Sequence, residues 1–526
     1  QHCRMEPFQP QVFQVFGLCL DTWNTSFSFP SALVNFTTMG QITIVGLGPG
    51  DPGDVSRAAW DALTSAPEVW VRTARHPTLA GLPEAITVHS FDEVYETEAD
   101  FANVYSAIAE RVLTLGERPE GVVYAVPGHP LVAERAVALI QAGAAERGLA
   151  VRVIAGLSFI EPTLTALGVD ALPGLQIVDG IDVGAAHHPS FHADLPALVA
   201  QVYSPAVASQ VKLTLMNQYP DEHPVQLVHG AGTPEEQVEA LALYEIDRSP
   251  RIAHLTSLYV PPLARRSSFE ALQEIIAHLR APEGCPWDRK QTHQTLRRHL
   301  LEEAHETLHA LDLEDVDKMR EEFGDLLLQI VLHAQIAIDE GEFTMQDVIA
   351  ELNAKLIRRH PHVFGDVVVD SADAVVTTWE AVKAAERLAR NELPADTGLL
   401  ASVPPGLPAL AQAELYQKRA AKVGFDWPDV SGPRAKVSEE IAEIEAEADE
   451  ESRGREVGDL LFAVVNWARW LKVDPETVLR EANMRFAGRF RQVELGAAAQ
   501  GRDLHAMTLA ELDALWDEAK RLERER

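Results

Sequence analysis

An α/β region followed by an all-helical region, in a multidomain chain, is the fold class this sequence predicts, and three observations predict it. Short β-branched runs alternate with amphipathic stretches from Gln41 to about Pro262, a 3.6-residue periodicity takes over from Ser268, and the helical part repeats itself. Length agrees: 526 residues exceed what one hydrophobic core usually supports.

Residues 1–38 come first and hold six of the eighteen Phe, with no Met at the start and no periodicity, so they read as a disordered or non-native leader. From 39 to 262 the runs Ile42 to Val45, Glu68 to Val71, Val122 to Val126, Val151 to Ile154, Leu213 to Met216 and Ile252 to Leu255 read as strands between helices. Leu258-Tyr-Val-Pro-Pro-Leu-Ala then breaks the pattern at two prolines, which places a boundary near Pro262. A second break, Leu393-Pro-Ala-Asp-Thr-Gly with Pro404-Pro-Gly-Leu-Pro, divides the helical part into 263–395 and 396–526.

Those two stretches match in order. Glu302-Glu-Ala-His-Glu306 answers to Glu439-Glu-Ile-Ala-Glu443, Glu322-Phe-Gly-Asp-Leu-Leu to Glu456-Val-Gly-Asp-Leu-Leu, and Asn353-Ala-Lys-Leu to Asn483-Met-Arg-Phe. Each half thus carries E-E-x-x-E on one helix and E-x-G-D on the next, two acid pairs at i, i+3. In the second half Val437, Ile441 and Ile444 form the apolar stripe; Glu440 and Glu443 edge it, while Glu439 points nearly opposite and is predicted to be solvated. If the two helices pack antiparallel, four carboxylates converge, and like charges at that range raise one another's pKa unless a cation joins them. An all-oxygen set suits Mg²⁺ or Mn²⁺. Gly458, between Glu456 and Asp459, leaves room for a neighbouring helix or a ligand. Lys355, Arg358 and Arg359 in the first half, and Arg485 and Arg489 in the second, follow at helical spacing and suit phosphate oxygens; the plainer reading is surface ion pairs.

The overall charge narrows the substrate. Forty-five basic against seventy-nine acidic side chains give -34, which opposes binding of a nucleic-acid polymer and leaves small anions held through a metal. Cys3, Cys19 and Cys285 are too scattered for a disulfide framework or a zinc site, and no apolar run reaches membrane-spanning length; a cytoplasmic setting is expected, with no membrane partner.

Residues 269–524 resemble the MazG family of all-α nucleoside triphosphate pyrophosphohydrolases in its two-repeat form. The carrying motifs are Gly284-Cys-Pro-Trp-Asp288, Leu301-Glu-Glu-Ala-His-Glu306, Glu322-Phe-Gly-Asp-Leu-Leu, Arg358-Arg-His-Pro-His-Val-Phe364, Val423-Gly-Phe-Asp-Trp427 and Glu456-Val-Gly-Asp-Leu-Leu-Phe462. The resemblance implies Mg²⁺-dependent hydrolysis of nucleoside triphosphates to monophosphate and pyrophosphate, usually in a homodimer, by water attack at the α-phosphorus. Its metal ligands fall on Glu440, Glu443, Glu456 and Asp459, and on Glu303, Glu306, Glu322 and Asp325. Both repeats keep all four acids; family precedent favours the second. Lys is common in the family where this chain has Arg485.

The first half offers Ile42-Thr-Ile-Val-Gly-Leu-Gly-Pro-Gly-Asp-Pro52, a strand entering a Gly-rich turn whose backbone N–H groups suit an anionic or adenosyl ligand. Pro49, Asp51 and Pro52 argue against a dinucleotide cradle. With Tyr124-Ala-Val-Pro-Gly-His-Pro130, Ala155-Gly-Leu-Ser158 and His229-Gly-Ala-Gly-Thr-Pro234, this region resembles the tetrapyrrole (corrin and porphyrin) methylase family, two α/β lobes around S-adenosylmethionine. That implies cofactor contacts at Gly46, Gly48, Gly50, Asp51, Pro127, Gly128 and His129; His129 stands where many members have Asp or Asn, which bears on methyl transfer more than on binding, and it also reads as a loop histidine satisfied by backbone. Three functions follow: a pyrophosphohydrolase with an adenosylmethionine-binding domain, a tetrapyrrole methyltransferase whose helical repeats serve dimerisation, or a non-catalytic sensor.

Overall fold

The computed structural model describes residues 40–97, 101–369, 371–389, 398–401 and 403–524. The expected leader 1–38, with Cys3 and Cys19, and the expected division at 395–396 lie outside these residues. The chain falls into two compact units, one ending at Leu272 and the other beginning at Gln273.

The first unit holds two five-stranded sheets. β1 (Gln41–Gly46), β2 (Glu68–Val71), β3 (Thr87–Ser90), β4 (Val122–Val126) and β5 (Ala150–Ile154) form a parallel sheet in the order β3-β2-β4-β1-β5. β1 is central, and Ile42, Ile44 and Val45 are wholly buried; a parallel strand covered on both faces reads as an unbroken apolar run, which is why the sequence exposes it. The second sheet, β6 (Gln176–Asp179), β7 (Ala197–Ala200), β8 (Pro224–His229), β9 (Gln237–Ala242) and β10 (Thr256–Val260), has the order β6-β7-β10-β8-β9 and mixes one parallel with three antiparallel pairings.

Two strand expectations fail. Leu213 to Met216 is the end of a helix, Pro205–Leu215: Ser204 caps it by accepting from Val207 N, Pro205 opens it, and Val207, Ala208, Val211 and Leu215 are buried at helical spacing. Ile252 to Leu255 is turn, and the strand begins at Thr256, so Leu258-Tyr-Val belongs to β10 and only the prolines stop it.

Helices carry the second unit: α1 (Phe269–Arg280), α2 (His293–Asp312), α3 (Val316–Glu340), α4 (Met345–Arg359), α5 (Ala372–Ala389), α6 (Ala409–Lys422), α7 (Ser431–Ala446), α8 (Glu450–Trp470), α9 (Pro475–Ala499) and α10 (Leu509–Arg524). The sequence match reappears as matched geometry. Three residues join α2 to α3 and three join α7 to α8; four join α3 to α4 and four join α8 to α9. Links that short make α2–α3 and α7–α8 antiparallel hairpins, and each pair packs along its length. Asp315 and Asp449 cap the second helix of their hairpins.

Among the described residues one ion pair ties the two halves. Arg480 of α9 donates to both oxygens of Asp312 on α2, at 2.7 and 3.1 Å, with Asp312 nearly buried and the hydrogen bond raising the Arg480 pKa. Asp312→Ala is expected to lower the unfolding free energy of the helical unit by about 1–2 kcal/mol, because Arg480 loses its partner while keeping some contact with water; a denaturation midpoint equal to wild type would show the pair to be idle.

Candidate functional site

Each helical hairpin brings acids together. Ligand oxygens of Glu440, Glu456 and Asp459 lie within 4.8 Å of one another, and so do those of Glu303, Glu322 and Asp325. The geometry follows from the hairpin, which sets the i, i+3 pair of one helix against the acid of the other. Glu440 is 3% exposed and its Oε2 has no hydrogen-bond partner, an unmet buried acceptor facing its own kind. Glu443 and Glu306 fall outside the three-oxygen sets, are exposed, and still act on them electrostatically.

The pKa directions record the crowding. Glu303 is raised by burial and then by Asp325, Glu306 and Glu322; Glu322 by burial and then by Glu306, Glu321 and Asp325. Glu443 is raised by burial and by Glu440, Glu439 and Glu456, against Lys436. Oxygen-only ligation, mutual repulsion and an unmet buried oxygen fit a hard divalent cation.

Lys436 is a residue the sequence reading missed. Its ammonium lies 2.7 Å from Glu440 and 2.9 Å from Glu439, one helical turn away, and the spacing Lys436-x-x-Glu-Glu is the signal that was there to find. Glu439 is exposed, as expected, and turned to that lysine. In the first half His299 occupies the corresponding position.

The other cations are placed differently from a free phosphate cradle. Arg358 and Arg359 both grip Glu386 of α5, at 2.6 Å each, and Arg359 followed by Arg358 holds that carboxyl down to about 2. Arg489 pairs with Glu523 at 2.6 Å and lies 5.9 Å from the Trp516 ring centre; Arg485 sits 3.6 Å from Glu481; Lys355 is exposed on α4. Gly458 and its counterpart Gly324 face open space, with nothing within 4 Å of an added Cβ, so no described element of the chain packs there.

In the α/β unit the Gly-rich turn after β1 meets the turn after β4. Gly48 and Gly128 exchange backbone hydrogen bonds of 3.3 and 2.8 Å, and a Cβ on Gly46 would lie 2.6 Å from Gly128 O. Pro127, Gly128 and His129 line a cavity of about 520 Å³ that both lobes enclose. The remaining expected contacts lie outside that lining: Gly46 is buried beneath it, Gly48 and Gly50 shape the turn at φ +76 and +152, and Asp51 accepts from Gly53 N. His129 Nδ1 accepts from Leu131 N at 3.0 Å.

The strongest feature of this cavity escaped the sequence. Arg72 and Glu134 form a 2.5 Å ion pair in its wall, with Arg72 Nε and Glu134 Oε1 unpartnered. Burial raises the Glu134 pKa despite the guanidinium beside it; burial and Arg72 push His76 down to about 4, against a backbone hydrogen bond that its ring gives to Gly48, leaving it neutral at physiological pH. Arg72 and His76 share the segment after β2, but Glu134 comes from beyond β4, so no spacing announces the pair.

Comparison with known proteins follows the same division. The tetrapyrrole (corrin/porphyrin) methylase model matches residues 41–247, and the MazG nucleotide pyrophosphohydrolase domain model matches 291–364. YabN of Bacillus subtilis (strain 168), an uncharacterized protein, is 43% identical over 92% of this chain and 99% of its own length. The chain belongs to the YabN-like family. It joins an N-terminal tetrapyrrole methylase domain to a MazG pyrophosphohydrolase domain. The nucleoside triphosphate pyrophosphohydrolase/pyrophosphatase MazG of Thermotoga maritima is 44% identical over 48% of this chain and 95% of its own length, and the Escherichia coli K12 nucleoside triphosphate pyrophosphohydrolase is 42% identical over 49% and 98%. Among solved structures, uroporphyrin-III-C-methyltransferase of Thermus thermophilus shares 21% identity over 42% of this chain and 92% of its own, with a TM-score of 0.35. The fold class expected from the sequence, two-lobed α/β followed by all-helical, is the one this YabN-like chain has.

The raised carboxylates give the site a testable pH signature. Glu303, Glu322 and Glu443 contribute stability fully below the ordinary value of 4.5 and lose it as pH rises through their raised values, so at neutral pH the sets stand ionised against their own repulsion. Mg²⁺ at a hundredfold excess over its Kd is expected to raise the Tm of the helical unit by about 5–10 °C at pH 8, and by much less at pH 5 where protons already relieve the strain. Equal shifts at the two pH values, or none, would contradict cation binding by these acids.

Proposed function

We propose that the helical unit hydrolyses nucleoside triphosphates to the monophosphate and pyrophosphate with Mg²⁺ or Mn²⁺, and that its second half is the principal seat. The observation that carries this reading is the buried Glu440 with an unmet oxygen, within 4.8 Å of Glu456 and Asp459 and beside Lys436. The relatives from Thermotoga maritima and Escherichia coli, which are nucleoside triphosphate pyrophosphohydrolases by name, support it.

Glu440, Glu456 and Asp459 would hold the cation. Bound there, it supplies neutralisation of the triphosphate and a water of lowered pKa. Lys436, already within hydrogen-bond distance of Glu440, is placed to exchange a carboxylate for a phosphate oxygen. Glu443, one turn along and outside the three-oxygen set, accepts the proton of the attacking water, a role its raised pKa suits. Glu439 has no such role, because it is exposed and neutralised by Lys436. Arg485, 3.6 Å from Glu481, follows on α9 as a cation for the leaving pyrophosphate, whereas Arg489 is held by Glu523.

The first half is the weaker candidate. It keeps Glu303, Glu322 and Asp325 together, with Glu306 near, but has His299 in place of Lys436, and Glu386 has taken Arg358 and Arg359, leaving Lys355 as its exposed cation. Exposed apolar stripes recur at matching positions, Phe323, Leu327 and Ile330 on α3 and Val457, Leu461 and Val464 on α8, and we assign them to the contact with a second copy in a homodimer. In the α/β unit, the cavity at Pro127, Gly128 and His129 supports S-adenosylmethionine binding.

Pyrophosphate release from a panel of nucleoside triphosphates with Mg²⁺ tests the main reading, and EDTA is expected to abolish it. Asp459→Asn or Glu440→Gln should lower kcat by at least about a thousandfold, since charge neutralisation is the largest single contribution to such chemistry. Asp325→Asn is expected to leave most of the activity; the reverse pattern would move the site to the first half. Separately, Leu461→Glu is expected to shift the oligomer toward monomer by light scattering, and an unchanged mass would remove α8 from the interface.

A further inference from the structure

The helical unit contains a second cavity that the carboxylate chemistry leaves unused. It has a volume of about 460 Å³, within the range of about 300–1,000 Å³ usual for small-ligand sites. Tyr416, Phe425, Trp427 and Phe462 give it aromatic walls, and Gln417 and Asn466 give it amides.

Its position follows from helical register. Glu456, Asp459, Phe462 and Asn466 recur at spacings of three or four on α8 and lie toward one side of it. With a rise of ~1.5 Å per residue, Phe462 stands ~4.5 Å and Asn466 ~10.5 Å beyond Asp459 along the axis. The cavity therefore opens one turn past the acids, where the base of a nucleotide held by its phosphates would lie.

Several polar groups around it are paired with one another. Arg469 donates to both Asp426 oxygens, at 2.5 and 3.0 Å, and to Asn466 Oδ1; Trp470 Nε1 also donates to Asp426, and Gln412 Nε2 to the Tyr416 hydroxyl. Gln417 is 7% exposed and its Nε2 donates to Phe462 O at 2.9 Å. A carbonyl only accepts, so the amide cannot be turned over, and Oε1 is fixed as a buried acceptor. It is the one buried side-chain polar atom without a partner among the described residues lining the cavity.

We propose that this cavity takes the nucleobase and that Gln417 Oε1 accepts a hydrogen bond from an exocyclic amino group. The site then favours amino-bearing bases over their deaminated counterparts, cytosine over uracil and adenine over hypoxanthine, whose carbonyl would set lone pairs against Oε1. The inference rests on the pyrophosphohydrolase reading for its substrate. It also separates the two halves: the matching positions on α3 are Leu328, Leu332 and Gln335, where α8 has Phe462, Asn466 and Arg469, so the first half lacks this lining.

The test compares kcat/KM for CTP against UTP and for ATP against ITP, in the full chain with Mg²⁺. Wild type is expected to favour the amino partner by about 10- to 100-fold, and Gln417→Met to bring both ratios toward one. Phe425→Ala, at an 82% exposed ring that folding does not need, is expected to raise KM for all four nucleotides and keep the ratios. Equal use of CTP and UTP by wild type, or a Gln417→Met variant that lowers all four rates without changing the ratios, overturns the proposal. Should Gln417→Met fail to fold, the wild-type ratios and Phe425→Ala decide it. If no nucleoside triphosphate is cleaved at all, the pyrophosphohydrolase reading falls by itself. Calorimetry with CMP and UMP then decides the cavity: tenfold tighter CMP supports it, and equal affinity or no binding overturns it.

Discussion

Everything in the helical unit that bears on chemistry depends on one repulsion, that of three carboxylates held within 4.8 Å by a three-residue link between two helices. Covalent connection and hairpin packing impose the approach; among the described residues nothing neutralises it fully. Lys436 answers part of the charge at Glu440 and none of the described basic side chains enters the corresponding place in the first half, where His299 stands. On the proposed reading a cation answers that repulsion, and without one the fold works against Coulomb's law.

That constraint also orders the surroundings. The acids occupy one side of α8; Val465 is buried nearly opposite Glu456, while Val457, Leu461 and Val464 remain open on another face. The repetition of that open stripe at Phe323, Leu327 and Ile330 argues that both halves solve the same packing problem in the same way. Gly458 and Gly324 belong to the same solution. A glycine inside a helix costs about 1 kcal/mol against alanine, and at both positions an added Cβ would meet nothing within 4 Å among the described residues.

What the sequence made legible was whatever repeats or runs on within a single element. The i, i+3 acids, the buried run of β1 and the doubled motif order all survive translation into three dimensions because each is local. Convergence across elements was not legible. Arg72 and Glu134 stand on opposite sides of β4 in sequence and meet in one wall; Gln417 and Phe462 are joined from α6 to α8; Glu386 reaches back from α5 to disarm Arg358 and Arg359. The misread Leu213 to Met216 shows the same limit, since a β-branched run was outweighed by a cap and proline eight or more residues earlier. Lys436 differs: it was local, and its spacing to Glu440 was readable.

The two units carry contrasting electrostatic problems, and the contrast bears on how each would work. In the α/β cavity a buried carboxylate meets a buried guanidinium, so charge is compensated within the wall and the remaining unmet atoms, Glu134 Oε1 and Arg72 Nε, ask only for hydrogen bonds. In the helical hairpins like charges face one another and ask for an ion. A pocket of the first kind can hold a neutral or zwitterionic ligand without any metal, and burial keeps His76 neutral there, whereas a site of the second kind is incomplete until a cation enters. On the proposed reading, removal of divalent metal silences one unit and leaves ligand binding by the other intact, so the pairing of the two in one chain would join chemistries that do not share a cofactor.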